Sequence, residues 1–242
     1  MCNTLMMELK RIKTGIDGLD QMLSGGLIEG RSYIVVGGPG TGKTILCMHF
    51  LMEGAKKGEE GLFLALEESA TELKENMSIF GWDLHRIKLI DTAQELSGKW
   101  AIRVDSLIAG PELTLANILS ILKEYITKYN IKRVVIDSLT SYKVMQKTTV
   151  DYRRSLLTIM KFLSTAGCTS FLTIETGNHE AVMEEFLASG VIELGFVERS
   201  GEWLNSLRVS KMRGVDIDHH IRPLKIMEKG GMVVFANETL LR

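Results

Sequence analysis

The chain is expected to be α/β: a mostly parallel sheet with helices on both faces and a C-terminal antiparallel extension. Three observations lead there. Short, almost continuously apolar runs recur at 33–36, 62–66, 133–136 and 170–174. Longer stretches with helical spacing separate them. After about Val191 the rhythm changes to strands divided by tight turns. Parallel strands need helical crossovers, and strands covered on both faces read as unbroken apolar runs.

In chain order, 33–36 reads as a buried strand and 44–56 as a helix. The run 62–66 is the next strand. Ser69 with Glu72 then forms a capping box that opens a helix stopping near Gly81. A third strand is expected at 87–90. From 113 to 129, Leu115, Ile118, Leu119, Leu122 and Ile126 line one helical face. Strands at 133–136 and 170–174 bracket a helix at 152–163. The turns Ser200-Gly201 and Lys229-Gly230-Gly231 divide strands at 191–198, 206–212, 224–228 and 232–235.

Composition narrows the class. The chain has 242 residues, 45% apolar and 24% charged, a globular mixture that excludes wholesale disorder. A chain of this length buries a core without disulfides or a structural metal. No repeat or Pro-rich linker divides it, so one domain over 1–242 is expected. The longest uncharged run, 162–174, is too short to cross a membrane. Residues 1–8 lack the layout of a secretion signal. Three scattered cysteines (Cys2, Cys47, Cys168) without a CxxC fit a reduced compartment, so a cytoplasmic protein is expected. With 29 basic against 30 acidic residues, there is no overall charge excess for nucleic acid.

The chemistry concentrates at Gly37-Gly38-Pro39-Gly40-Thr41-Gly42-Lys43-Thr44, which matches GxxxxGK[ST] between a strand and a helix. Glycines let successive amides turn inward toward phosphate oxygens, and the helix start adds its positive dipole end. Gly38 to Thr44 are therefore the expected ATP cradle. Lys43 would reach the β- and γ-phosphates, and Thr44 would offer a hydroxyl to Mg²⁺. Asp137 closes the apolar run 133–136 and emerges at the same sheet edge, where it is the expected second metal ligand. Glu67 and Glu68 follow the strand ending at Leu66. Either they orient water beside the γ-phosphate, or they only favour the dipole of the helix that follows.

These residues resemble the RecA-fold ATPases, and more closely their KaiC-like branch, named after the cyanobacterial clock ATPase. The resemblance runs through Thr14-Gly15-Ile16-Asp17-Gly18-Leu19-Asp20, Gly25-Gly26-Leu27, the phosphate loop, Leu66-Glu67-Glu68-Ser69 and Phe80-Gly81-Trp82-Asp83. It continues in Val135-Ile136-Asp137-Ser138-Leu139-Thr140 and Ser210-Lys211-Met212-Arg213-Gly214. It implies a RecA-type core and a homo-oligomeric ring, a hexamer, with ATP between subunits. It implies Glu67 as the main catalytic carboxylate, assisted by Glu68. It also implies that Lys211 and Arg213 act in trans on the neighbour's γ-phosphate. Strand alternation agrees, because Leu207, Val209, Lys211 and Arg213 would share one side. The clock protein carries two such domains, and the Ser-Thr phosphoacceptor pair of its autokinase half is missing around Ser189, which argues against autophosphorylation here.

Other signals carry less. Asp216, Asp218, His219 and His220 crowd one turn without a second ligand group at metal spacing, so a subunit or base contact is the expectation. His179 reads as a loop residue, and Trp82 as a buried anchor after a helix stop. For DNA, the stretch 142–154 carries Lys143, Lys147, Arg153 and Arg154. The stretch 175–198 has six glutamates and no cation, which opposes phosphate neutralisation. The leading expectation is a Mg²⁺-dependent, ring-forming ATPase that passes nucleotide state to an unnamed protein partner. A nucleotide-gated binding module with slow hydrolysis and a DNA-handling ATPase are the alternatives.

Overall fold

The structure is a computed structural model and describes residues 9–92, 95, 113–176 and 183–240. The elements, in order, are β1 (Arg11–Ile12), α1 (Asp17–Met22), β2 (Leu27–Ile28), β3 (Ser32–Gly37), α2 (Lys43–Lys56), β4 (Gly61–Ala65) and α3 (Ala70–Ser78). They continue as β5 (Ile87–Asp91), α4 (Leu115–Tyr129), β6 (Arg133–Asp137), α5 (Leu139–Val144), α6 (Thr149–Thr165) and β7 (Thr169–Glu175). The chain then forms α7 (Met183–Leu187), β8 (Gly190–Arg199), β9 (Glu202–Met212), β10 (Arg222–Met227) and β11 (Gly231–Val234). Cys2, Pro111, His179 and Glu180 lie outside the described residues.

One sheet runs in the order β11-β10-β9-β8-β3-β7-β6-β4-β5, and β1 pairs with β2 apart from it. From β8 to β5 every neighbouring pair is parallel. From β8 to β11 every pair is antiparallel. The extension thus begins with β9. The strand from Gly190 still belongs to the parallel sheet, because it lies beside β3 as well as β9.

Alternation along the central strands feeds two cores. Tyr33, Val35, Phe63, Val135 and Phe171 meet Leu46, Phe50 and Leu51 of α2 on one face. Ile34, Leu62, Leu64, Ile136 and Leu172 meet α4 and α6 on the other. Phe171 stands edge-on to Phe50, with ring centroids 4.8 Å apart. At the far end of β6, the guanidinium of Arg133 is buried. It donates to Glu59 (2.7 Å) and to the carbonyls of Lys13 (2.8 Å) and Phe50 (2.9 Å). It fits only because Gly54 faces it in α2: a Cβ there would lie 2.6 Å from the Arg133 side chain.

Helix starts follow hydroxyl chemistry. Ser69 and Glu72 form the reciprocal capping box expected of them, a device that contributes about 1 kcal/mol. Thr114 and Thr148 cap α4 and α6 through the amides of Asn117 and Asp151. That is why α6 begins at Thr149, earlier than apolar spacing alone indicates. The six-residue α5, capped by Ser138, is too short for periodicity to reveal.

His49 joins α2 to the C-terminal hairpin. Its Nε2 accepts the Met232 N–H (2.7 Å), and its ring stands edge-on to Trp82 at 5.0 Å. Trp82 follows Gly81 and packs against Phe80 as well, but it is half-buried at the edge of the core rather than the buried anchor expected. Burial lowers the His49 pKa to about 4, against an opposing hydrogen bond with the Gly15 backbone.

Two outcomes follow. Phe171→Ala should cost about 3–5 kcal/mol in denaturant unfolding, because it empties the contact between sheet and α2. His49 binds its proton less readily folded than unfolded, so its contribution to stability is complete above pH 6.5 and declines as pH falls toward about 4. The unfolding free energy of His49→Gln should vary less across that window than that of the unaltered protein.

Candidate active site

The site grows from the junction of β3 and α2. β3 is central and buried, held between β7 and β8, so the loop after Gly37 leaves from a rigid edge. Gly38, Pro39 and Gly40 form its outer crest, while Thr41 is buried and donates to the Gly38 carbonyl (2.8 Å). Gly42 adopts φ +96° and precedes α2 without any side-chain cap. By contrast, α3, α4, α5 and α6 each begin with a hydroxyl bonded to a helix amide. The first-turn amides of α2 thus have no side-chain cap, as is also true of α1, and at the end of this glycine loop they could receive an anion.

Lys43 is buried, and its three N–H donors all have acceptors: the carbonyls of Gly37 (3.0 Å) and Gly38 (2.9 Å) and the Glu175 carboxylate (3.3 Å). Thr44 donates its hydroxyl to Asp137 Oδ2 at 2.7 Å. Thr173, one strand over on β7, donates to Asp137 Oδ1. Burial raises the Asp137 pKa, opposed by those two hydroxyls and by the charge of Lys43. An enclosed carboxylate beside a threonine hydroxyl is a hard-oxygen donor set, which fits Mg²⁺. Bound there, Mg²⁺ would neutralise charge on the phosphates.

Glu67 accepts hydrogen bonds from Ser138 (2.8 Å) and from Ser141. Glu68 accepts one from Asn76 (2.6 Å), and burial raises its pKa. Both glutamates line one cavity of about 330 Å³ together with Lys43, Thr44 and Asp137. Ser138, Ser141, Thr173, Asn76 and Glu175, which sequence reasoning did not single out as site residues, orient these groups. Only the strand register, which sets β7 beside β6, could have pointed to Thr173.

Lys211 and Arg213 are not brought to this cavity. Lys211 pairs across the sheet with Val191, and Val191 with Ile34, whereas the loop leaves β3 after Gly37. The rise per strand residue puts about 10 Å between those levels. The alternation expected to align the two cations with Leu207 and Val209 is interrupted by a bulge. Val191 faces Lys211 and Ile192 faces Val209, which leaves Ser210 as the extra residue. Lys211 donates to the Glu185 carbonyl (2.5 Å) and Arg213 to the Phe186 carbonyl (2.9 Å).

The crowded turn after this strand is tied internally, with Asp218 accepting from Arg222 (2.8 Å) and His220 (2.6 Å). The acidic stretch 175–198 is also less of a loop than its composition suggests. Glu193 and Glu198 lie on β8, Glu193 is bonded to Arg208 (2.6 Å), and Glu175 is bonded to Lys43.

The fold is a RecA-type α/β core with a GxxxxGK[ST] loop between β3 and α2. Residues 12–239 match the family model described as the KaiC ATPase. A UPF0273 protein of Thermotoga maritima is 32% identical over 240 residues, covering 95% of this chain and 98% of that protein. The circadian clock protein KaiC3 of Synechocystis is 29% identical, covering 93% of this chain and 46% of its own length. The crystal structure of the KaiC-like protein PH0186 from Pyrococcus horikoshii superposes with a TM-score of 0.80 at 31% identity, covering 94% of this chain and 100% of that one. The chain belongs to the KaiC ATPase family, whose chemistry is ATP binding and hydrolysis. Among the described residues no helix is long and apolar enough to cross a membrane.

Thr44→Val should leave an Asp137 oxygen without its donor and cost about 1–2 kcal/mol in thermal unfolding.

Proposed function

We propose that this chain is a cytoplasmic, Mg²⁺-dependent ATPase of one domain, 1–242. In this reading it assembles as a homo-oligomeric ring, a hexamer, and passes its nucleotide state to a protein partner. The observation that supports the proposal is the separation, within one molecule, of a carboxylate-lined cavity from a pair of cations. Lys43, Thr44, Asp137 and Glu67 line one cavity, while Lys211 and Arg213 stand on and just after β9, at another level of the same sheet. A head-to-tail contact that closes into a ring joins unlike edges of successive subunits, so each subunit would hold one ATP and activate the next.

The roles follow from the chemistry. Amides at the start of α2 and Lys43 bind the phosphates. Thr44 and Asp137 would hold Mg²⁺. Glu67, fixed by Ser138 and Ser141, orients and deprotonates the attacking water, and Glu68 assists. Lys211 and Arg213 supply positive charge to the neighbour's γ-phosphate, a contribution worth about 10³–10⁵ in rate where such fingers operate. Autophosphorylation is not part of the proposal. Ser189 sits between Ala188 and Gly190, and its backbone bridges the Ser32 carbonyl (2.9 Å) and the Arg213 amide (2.8 Å).

Lys43→Ala should abolish phosphate release; unchanged turnover in that variant would remove the phosphate loop from the chemistry. Glu67→Gln and Arg213→Ala homo-oligomers should each be inactive, yet mixing them should restore turnover at interfaces that combine an intact cavity with an intact finger. Failure to recover at any mixing ratio would count against sites shared between subunits.

A further inference from the structure

The carbonyls that accept Lys211 and Arg213 belong to α7, the five-residue helix 183–187. That helix carries a side chain with no ordinary reason to be buried: Glu184 is 0% exposed. Its carboxylate faces Lys143 Nζ of α5 at 3.1 Å, an ion pair without a well-aligned hydrogen bond. Lys143 Nζ also lies 5.6 Å from the ring centroid of Tyr152 on α6. Burial and the charge of Glu184 both push the Tyr152 hydroxyl's pKa up.

A carboxylate taken out of water is destabilising unless paired, and an apolar side chain of similar size would seat α7 without that penalty. The pair therefore serves position rather than stability. What it positions is specific. α5 begins two residues after Asp137, and its Ser141 holds Glu67 together with Ser138. At its other end α5 carries Lys143, which meets Glu184, and α7 holds the two cations. One continuous line of contacts runs from the water-orienting carboxylate of a subunit to the cations it would offer its neighbour.

We propose that Glu184 is a positioning residue, which through its ion pair with Lys143 sets α7, and hence Lys211 and Arg213, according to the state of the subunit's own Glu67 site. This rests on the shared-site ring proposed above. It adds the device by which occupancy in one subunit reaches the next site: α5 and α7 move as a linked pair, and the carbonyls of Glu185 and Phe186 carry the cations with them.

The test uses full-length chains, native mass measurement to verify the ring, and phosphate release. Glu184→Gln and Lys143→Ala should each slow turnover about a hundredfold, the scale of a misplaced catalytic group. Lys143→Arg should retain most activity. The decisive readout is complementation. Glu67→Gln subunits keep the phosphate-binding groups and offer intact cations but cannot activate water, so adding them to Glu184→Gln subunits should restore turnover. At equal, random mixing the rescued interfaces are about one quarter of all sites. A control mixture of Glu67→Gln with Arg213→Ala should behave alike.

If the control recovers and the Glu184→Gln mixture does not, the fault lies in the variant's own cavity and the positioning role is overturned. If neither recovers, the shared-site reading falls and takes this inference with it. Should Glu184→Gln fail to form rings, Lys143→Ala, altered at a side chain 41% exposed, carries the same mixing test. Full activity of Lys143→Ala rings would overturn the proposal outright.

Discussion

The structure depends on the passage from β3 into α2. A strand buried on both faces ends at Gly37, the chain turns through Gly42 in a left-handed conformation, and a helix begins with nothing of its own to cap it. Four other helices use a serine or threonine hydroxyl for that purpose. Omitting the cap leaves donors and a positive dipole end aimed outward, which a phosphate can satisfy. The rest of the core holds this junction still. Phe50 and Leu51 pin α2 to the sheet, and His49 ties it to the amide of Met232.

Around that junction the fold gathers oxygen chemistry from three further strands. Asp137 ends β6, Thr173 lies on β7, and Glu67 follows β4. Parallel strands deliver all their carboxyl ends to one edge, so residues distant in sequence arrive at one cavity. The same regularity keeps Lys211 and Arg213 away. β9 runs against β8, and its last residues pair with the start of β8, level with the start of β3. The carboxylates and Lys43 therefore sit at one level of the sheet and Lys211 and Arg213 at another, the separation on which the proposed shared site rests.

Much of this was legible in order along the chain. Apolar runs marked β3, β4, β6 and β7, and the capping box marked α3. The spacing of glycines with Lys43 and Thr44 marked the phosphate loop. The departures have particular causes. Hydroxyl caps, not apolar spacing, set the starts of α4 and α6. α5 and α7 span fewer than two turns and leave no periodic trace. β8 reads locally as the first strand of a new antiparallel unit, yet it joins the parallel sheet because β3 offers it an open edge.

Identity and local order came from the sequence alone: a strand, a glycine loop and a helix in succession, an acid at a strand end, and an even balance of charge. These depend on neighbours in the chain, whose geometry is set by steric preference and period. Tertiary structure decided which groups meet. Thr173 reaches Asp137, Ser141 reaches Glu67, and Lys143 reaches Glu184 only because strand order and register place them together. The bulge at Ser210 shows the same limit, since alternation predicts a side chain's face only while the pairing stays in step, and the partner strand decides where it slips.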